Sequence, residues 1–347
     1  MTHLEHGGRV FGSNMNILTI PVAFTVYPCY YVFIVKIVLP DKINISDKYK
    51  SKIRELGAEV FDDLPDEAEL KKRIKDAEII TASYVDITPD VIDAAPNLKY
   101  IVVPAVGYEW VDTEYAAEKG ITTLNCPTFN SQAVAEHAIS LLMAANRNII
   151  VGVDELRAGK WNPQDLVGYE LRGKELGLIG YGNVGKRIEK IASALGMNVS
   201  YVNSKSLSDE VDELLKNSDY VIICAPLNDG TRNLVDRRRL DLLKQTAILV
   251  NVGRGAVIDQ NALIEALKSK RIRGAGLDVF DGEPLTGAPS DTIVEIAKLP
   301  NVVTTPHMAY NTEEINDKQG AEILANLQSC IAGEPVNVVN QSEVHGS

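Results

Sequence analysis

The most restrictive stretch of this sequence is the turn Gly180-Tyr181-Gly182-Asn183-Val184-Gly185, because it stands between an apolar run and an amphipathic segment. Leu176-Gly177-Leu178-Ile179 leads into it, and Val184, Ile188, Ile191, Ala192 and Leu195 recur on one helical face after it. Gly180 allows a tight strand-to-helix turn, Gly182 lets a phosphate approach the backbone, and Gly185 lets the helix lie close on the strand. The start of that helix offers unpaired amides and a positive dipole end to an anion. Such a glycine motif is weak alone. The strand before it and the helix after it make it a dinucleotide pyrophosphate site, and all six residues of the turn are expected at the cofactor.

The rest of the chain repeats the same style. Short apolar runs alternate with amphipathic segments, the pattern of βαβ units and parallel sheets. A first set of strands is predicted at Lys36–Leu39, Ala58–Phe61, Glu78–Thr81, Tyr100–Val103 and Thr122–Asn125, with helices such as Asp47–Leu56 and Glu67–Asp76 between them. A long helix, Ser131 to Asn148, carries Val134, Ala138, Leu141, Leu142 and Ala145 at helical spacing and leads into a second set. That set has strands at Glu175–Ile179, Asn198–Val202, Tyr220–Cys224, Ala247–Asn251, Gly274–Asp278 and Val302–Thr305. A last amphipathic stretch, Glu313 to Ile331, ends at Gly333 with no strand after it, which suits a helix folding back on the first set. The expected fold class is α/β: two Rossmann-like domains with doubly wound parallel sheets and the active site in the cleft between them. The expected boundaries are 35–130 plus 308–340 for a flavodoxin-like substrate domain and 131–307 for the dinucleotide domain.

Length and charge set outer limits. A chain of 347 residues suggests two domains, and 45% apolar with 24% charged residues is an ordinary globular composition. The formal net charge of −12 argues against a nucleic-acid partner, which clustered Lys and Arg would have to hold. Cys29, Cys126, Cys224 and Cys330 form no metal-ligand spacing and fit a reducing, cytoplasmic setting, so no metal is expected. Residues 1–34 are an extension of unknown role. Ile17 to Val35 is almost uncharged and near the roughly 20 residues that span a bilayer, but Pro21 and Pro28 interrupt it and no clear positive region precedes it. A membrane anchor, an extra buried or partly disordered element and a non-native upstream extension stay open, with membrane attachment the less favoured.

At the ribose end, about 20 residues past the turn, an NAD-selective site usually has an Asp or Glu. Here the chain reads Asn203-Ser204-Lys205, which lacks that carboxylate and offers hydroxyl and ammonium donors for a 2′-phosphate. NADP is therefore favoured over NAD.

Arg254, Glu283 and His307 follow strands of the second set, on the carboxyl edge where open α/β sheets bind ligands. They lie in Asn251-Val252-Gly253-Arg254-Gly255, Asp278-Val279-Phe280-Asp281-Gly282-Glu283-Pro284 and Thr305-Pro306-His307. Each is ordinary singly. Together with the glycine turn, Val106-Gly107-Tyr108 and Val134-Ala135-Glu136-His137, in this order, they make the chain resemble the D-isomer-specific 2-hydroxyacid dehydrogenases from about Lys36 to Val339.

The resemblance implies an NAD(P)-dependent oxidoreductase that moves a hydride between the nicotinamide and a small 2-oxo acid or its D-2-hydroxy partner. Glyoxylate or hydroxypyruvate reduction comes first, with D-lactate and 3-phosphoglycerate substrates behind. It implies catalytic Arg254, Glu283 and His307: Arg254 binding the carboxylate and polarising the ketone, His307 exchanging the proton, Glu283 holding the imidazole. It also implies that Val106, Gly107 and Tyr108 grip the substrate carboxylate and that Asp278 contacts the carboxamide. Ala225, Pro226, Val252 and Gly253 are expected to line the cofactor beside the glycine turn and Asn203, Ser204 and Lys205. A homodimer through the Ser131–Asn148 region is a further implication. His137, among apolar neighbours, reads as structural. The chain departs from the family in carrying Glu109-Trp110 for the common Asp-Asn pair, in Tyr310 after the histidine, and in a short connection from Asn203 to Tyr220. The alternative from another class is a dinucleotide-sensing, corepressor-like binding protein of the same fold.

Overall fold

A computed structural model describes residues 35–284 and 287–340. The extension 1–34, with the three alternatives for its apolar stretch, lies outside the described residues. Among those described, no helix is long and apolar enough to cross a membrane.

The first sheet contains β1 (Ile37–Leu39), β2 (Glu59–Val60), β3 (Ile79–Thr81), β4 (Tyr100–Val102) and β5 (Thr122–Leu124), all parallel, in the order β2-β1-β3-β4-β5. The second contains β6 (Glu175–Ile179), β7 (Asn198–Val202), β8 (Tyr220–Ile223), β9 (Ile248–Asn251), β10 (Gly274–Leu277) and β11 (Val302–Thr304) in the order β11-β10-β9-β8-β6-β7, also parallel. Central strands such as β8 and β9 are buried along their whole length, as helices on both faces require. Core side chains fill both faces of each sheet: Leu178, Ile222 and Val250 on one face of the second sheet, Ile223, Leu249 and Leu277 on the other.

In both sheets the chain runs first to one edge and then crosses back, so a switch point falls between β1 and β3 and another between β6 and β8. The crossing from β7 to β8 is a single helix, Ser208–Asn217, with no further strand beyond β7. That is the physical content of the short Asn203–Tyr220 connection: β7 is an edge, and Asn198, Ser200 and Tyr201 on it are exposed.

The predicted Ser131–Asn148 helix is observed as Ser131–Asn146, and a second helix, not predicted, follows it. The first, Ser131–Asn146, buries Val134, Ala138, Leu141 and Leu142 against the second sheet, where Gly276 of β10 leaves room for Leu141. It stops because Asn148 turns left-handed (φ 52°) and redirects the chain into a second helix, Ile149–Arg157, that buries no residue. The last helix, Ile315–Ala332, ends at Gly333 (φ 73°), the left-handed C-terminal signal the sequence carries. It packs on the Asp47–Glu55 helix, with Gly320 against the Tyr49 ring, and Val338 beyond it forms an antiparallel bridge with Leu124 of β5. The end of the described chain therefore completes the first sheet's lobe.

Candidate active site between the two sheets

The glycine turn sits at the second sheet's switch point. Gly180 has φ 101°, and a Cβ there would stand 2.8–2.9 Å from the Ala225 and Cys224 backbone at the end of β8. Gly185 is as constrained, with a Cβ position 2.6 Å from the Gly180 carbonyl, so the Asn183–Ala194 helix rests directly on its strand. Gly182 differs: nothing lies within 4 Å of its Cβ position, and it caps the helix N-terminus. That open approach to unpaired amides suits a pyrophosphate. Gly253, at the end of β9, closes on the Ala225 carbonyl (2.6 Å from its Cβ position), while Val252 is buried and Pro226 exposed beside it. The cradle fits a dinucleotide. Cys224 lies beneath it, donating to the Gly180 carbonyl at 3.0 Å, and burial pushes its thiol up to about 12, which keeps it inert.

Side chains of the turn are less available than its backbone. Asn183 spends its amide on the Pro127 carbonyl (3.1 Å), Val184 packs into the core, and Tyr181 stacks on Tyr201 with ring centroids 3.6 Å apart. At the ribose end, Asn203 Oδ1 accepts from the Lys205 amide (2.9 Å) in a local turn, with Ser204 and Lys205 exposed. None of the three carries a negative charge.

His307 stands beyond β11 in a left-handed backbone conformation (φ 49°), rare for a residue with a side chain. Its Nδ1 is 2.5 Å from Glu283 Oε2, and Glu283 Oε1 accepts the Phe280 amide (2.5 Å), so both carboxylate oxygens are engaged. The imidazole is 45% exposed, and its Nε2 has no hydrogen-bond partner among the described residues. Tyr310 stands edge-on to the ring at 6.4 Å.

Asp278 is 1% exposed, and its oxygens accept from Thr305 Oγ1 (2.6 Å), the Met308 amide (2.9 Å) and the Ala309 amide (2.9 Å). Burial opposes its charge, yet these bonds and His137 beside it hold the carboxyl below the usual range. The side chain pins the loop that carries His307, whose own amide donates to the Asp278 carbonyl (2.8 Å). His137 is structural as expected, its Nε2 lying 2.9 Å from Thr305 Oγ1.

Arg254 reaches from the second sheet to the first. Its Nε donates to Glu109 Oε1 (2.9 Å), its Nη1 to the Gly253 carbonyl (2.9 Å), and a Cβ on Gly107 would lie 1.9 Å from Nη2. Gly255 is tighter still, its Cβ position 1.8 Å from the Phe280 carbonyl carbon, so the arginine loop lies directly on the segment leading to Glu283. Val106 is partly exposed, but the Tyr108 ring packs into the first sheet's core, which leaves only backbone from that residue for a ligand. Trp110 packs there too, donating to the Ala82 carbonyl (3.0 Å). Sequence reasoning missed Glu109, Gly255 and Thr305 as site residues. Gly255 was visible as a second glycine beside Arg254, whereas the partners of the other two lie far away in sequence.

Residues 139–309 match the family described as D-isomer specific 2-hydroxyacid dehydrogenase, NAD binding domain. The chain is 35% identical over 335 residues to a glyoxylate reductase of Pyrococcus furiosus, an alignment covering 90% of this chain and 96% of that one. It belongs to the D-isomer-specific 2-hydroxyacid dehydrogenase family. Another relative, the D-3-phosphoglycerate dehydrogenase of Methanocaldococcus jannaschii, is 38% identical over 324 residues, but this dehydrogenase-family chain spans only 60% of its length against 89% of its own. Among solved structures, an acyclic imino acid reductase (Bsp5) in complex with NADPH and D-Arg superposes with a TM-score of 0.80 at 34% identity, covering 88% of this chain and 99% of that one. The 2-hydroxyacid dehydrogenases of this family are nicotinamide-dinucleotide oxidoreductases acting on CH–OH donors, and this chain is one of them.

Proposed function

We propose that this dehydrogenase reduces a small 2-oxo acid to its D-2-hydroxy acid, with glyoxylate or hydroxypyruvate as the first substrates and D-lactate or 3-phosphoglycerate types behind them. The observation that carries the reading is the cleft itself: an Arg254 guanidinium against the Gly107 backbone, near a Glu283-His307 pair with a free ring nitrogen. When bound, the reduced nicotinamide supplies the hydride. Arg254 holds the substrate carboxylate and polarises the ketone through its unpaired N–H groups, and the Val106-Gly107 backbone beside it flanks the same carboxylate. His307 delivers the proton from Nε2 to the ketone oxygen, and Glu283 fixes the ring through Nδ1. The turn residues 180–185 with Ala225, Pro226, Val252 and Gly253 hold the dinucleotide, and Asn203-Ser204-Lys205 favours NADP.

We assign 35–130 with 308–340 to the substrate domain and 131–307 to the dinucleotide domain. A cytoplasmic homodimer is part of the same reading. The uncovered face of the Ile149–Arg157 helix and the loop after it supports a second copy there, with Ile149 51%, Leu156 60% and Trp161 81% exposed. The relatives named above are reductases and dehydrogenases and give the corepressor alternative no support.

The test follows NADPH and NADH oxidation against glyoxylate, hydroxypyruvate, pyruvate, 3-phosphohydroxypyruvate and an aromatic 2-oxo acid. Turnover should appear and fall about a hundred- to ten-thousand-fold in His307→Ala, with dinucleotide affinity unchanged. Pure protein that binds dinucleotide and reduces none of the panel would sink the reading.

A further inference from the structure

We infer that Glu109 is a positioning residue that clamps the Arg254 guanidinium across the cleft, so that its free donors are presented to a carboxylate; the inference rests on the 2-oxo acid reading above. A guanidinium has five N–H donors in one plane. Here Nε donates to Glu109 Oε1 (2.9 Å) and one Nη1 hydrogen to the Gly253 carbonyl (2.9 Å). The remaining three donors have no partner among the described residues. Two belong to Nη2, which abuts the Gly107 backbone so closely that a Cβ there would stand 1.9 Å away. Glu109 Oε2 lies against the same point, at 2.5 Å, so Glu109, Gly107 and Arg254 close on one another.

The consequence is orientation rather than stability. Both partners are partly exposed, Arg254 at 29% and Glu109 at 41%, so the ion pair itself contributes little to stability. A free arginine side chain, however, carries rotamer entropy that substrate binding would otherwise have to remove. Holding Nε from the first lobe and Nη1 from the second fixes the plane and leaves the Nη end for the substrate. Glu109 stands where the family commonly has the shorter Asp, and the contact depends on its reach.

The experiment compares wild type, Glu109→Ala and Glu109→Gln in two assays: steady-state reduction of the best 2-oxo acid, and calorimetric binding of oxamate to the NADPH-loaded chain. Oxamate is a planar, non-reducible mimic, so its affinity reads Arg254 independently of turnover. Glu109→Ala should raise KM and the oxamate Kd about tenfold or more, with kcat within about threefold and NADPH affinity and Tm unchanged. Glu109→Gln, whose amide oxygen still accepts from Nε, should recover most of that loss. An alanine variant that binds oxamate as well as or better than wild type overturns the clamp, as does a glutamine variant no better than alanine. A wild type that binds oxamate but reduces nothing refutes the proposed reaction only, and the oxamate comparison still decides for or against the clamp. A wild type that does not bind oxamate refutes both.

Discussion

A methyl group on Gly107 would collide with the end of a flexible side chain, whereas one on Gly180 would meet fixed backbone at a positive φ. The two substitutions should therefore fail differently. Gly107→Ala should displace the guanidinium and raise KM for the 2-oxo acid about tenfold or more while leaving Tm nearly unchanged, as kinetics and calorimetry would report. Gly180→Ala should destabilise the chain by about 2 kcal/mol or more and weaken dinucleotide binding, measurable by urea unfolding and fluorescence titration. At this scale the sequence displayed the residues whose type and local spacing carry the chemistry. Arg254 beside glycines, Glu283 before Pro284 and His307 after Pro306 were legible. Asp278 was legible as important, but its hold on the His307 loop was not, because Met308 and Ala309, whose amides it receives, come 30 and 31 residues later. Glu109 was visible only as a departure, its partner lying 145 residues away.

Parallel strands buried on both faces read as unbroken apolar runs, which is why the central strands were found in the sequence; with the exposed edges β2 and β7, all eleven strands among the described residues were anticipated. The ends were overrun by a residue in several cases for a physical reason: Thr305 still donates to the Leu277 carbonyl after β11 has ended, and Val103 to the Leu124 carbonyl after β4. The end of the Ser131–Asn146 helix was legible to within two residues, whereas the Ile149–Arg157 helix after it was not, because it buries no residue and so has no apolar face packed on the core. A polar residue at a strand end supplies the element-scale prediction. Asp41, after β1, is fully buried and accepts the Ser83 and Tyr84 amides that follow β3, joining two neighbouring strands on the site's edge. Burial pushes its carboxyl up to about 6 from an ordinary 3.8. The folded chain therefore binds this proton more tightly than the unfolded chain, and stability falls as pH rises from about 4 to about 6, then levels. That rise of the carboxyl's pKa corresponds to about 3 kcal/mol or less. Asp41→Asn should lose one acceptor and start lower at acid pH, but its stability should lack that fall, as urea melts from pH 4 to pH 7 would show.

For the whole molecule, composition placed the chain correctly among packed globular proteins, the alternation of apolar runs and amphipathic segments gave the α/β class, and the family followed from motif order. What composition could not reveal is which surface another copy covers, since that depends on which side chains folding leaves outside. If the Ile149–Arg157 helix is a subunit contact, Ile150→Asp combined with Leu156→Asp should turn a dimer into a folded monomer in sedimentation equilibrium. Unchanged mass would remove that face from consideration.

The return of the Ile315–Ala332 helix to the Asp47–Glu55 helix imposes an order on synthesis. The ribosome releases β1 to β5 first, yet Ile37, Ile53 and Leu124 share their core with Ile323 and Leu327, which emerge about 200 residues or more after Leu124. The second sheet is continuous in sequence and can close while the first still waits. A nascent chain stalled with about residue 310 exposed should protect Ile222 and Val250 from protease and leave the first lobe open to cleavage. Translation would thus build the dinucleotide cradle before the lobe that faces it.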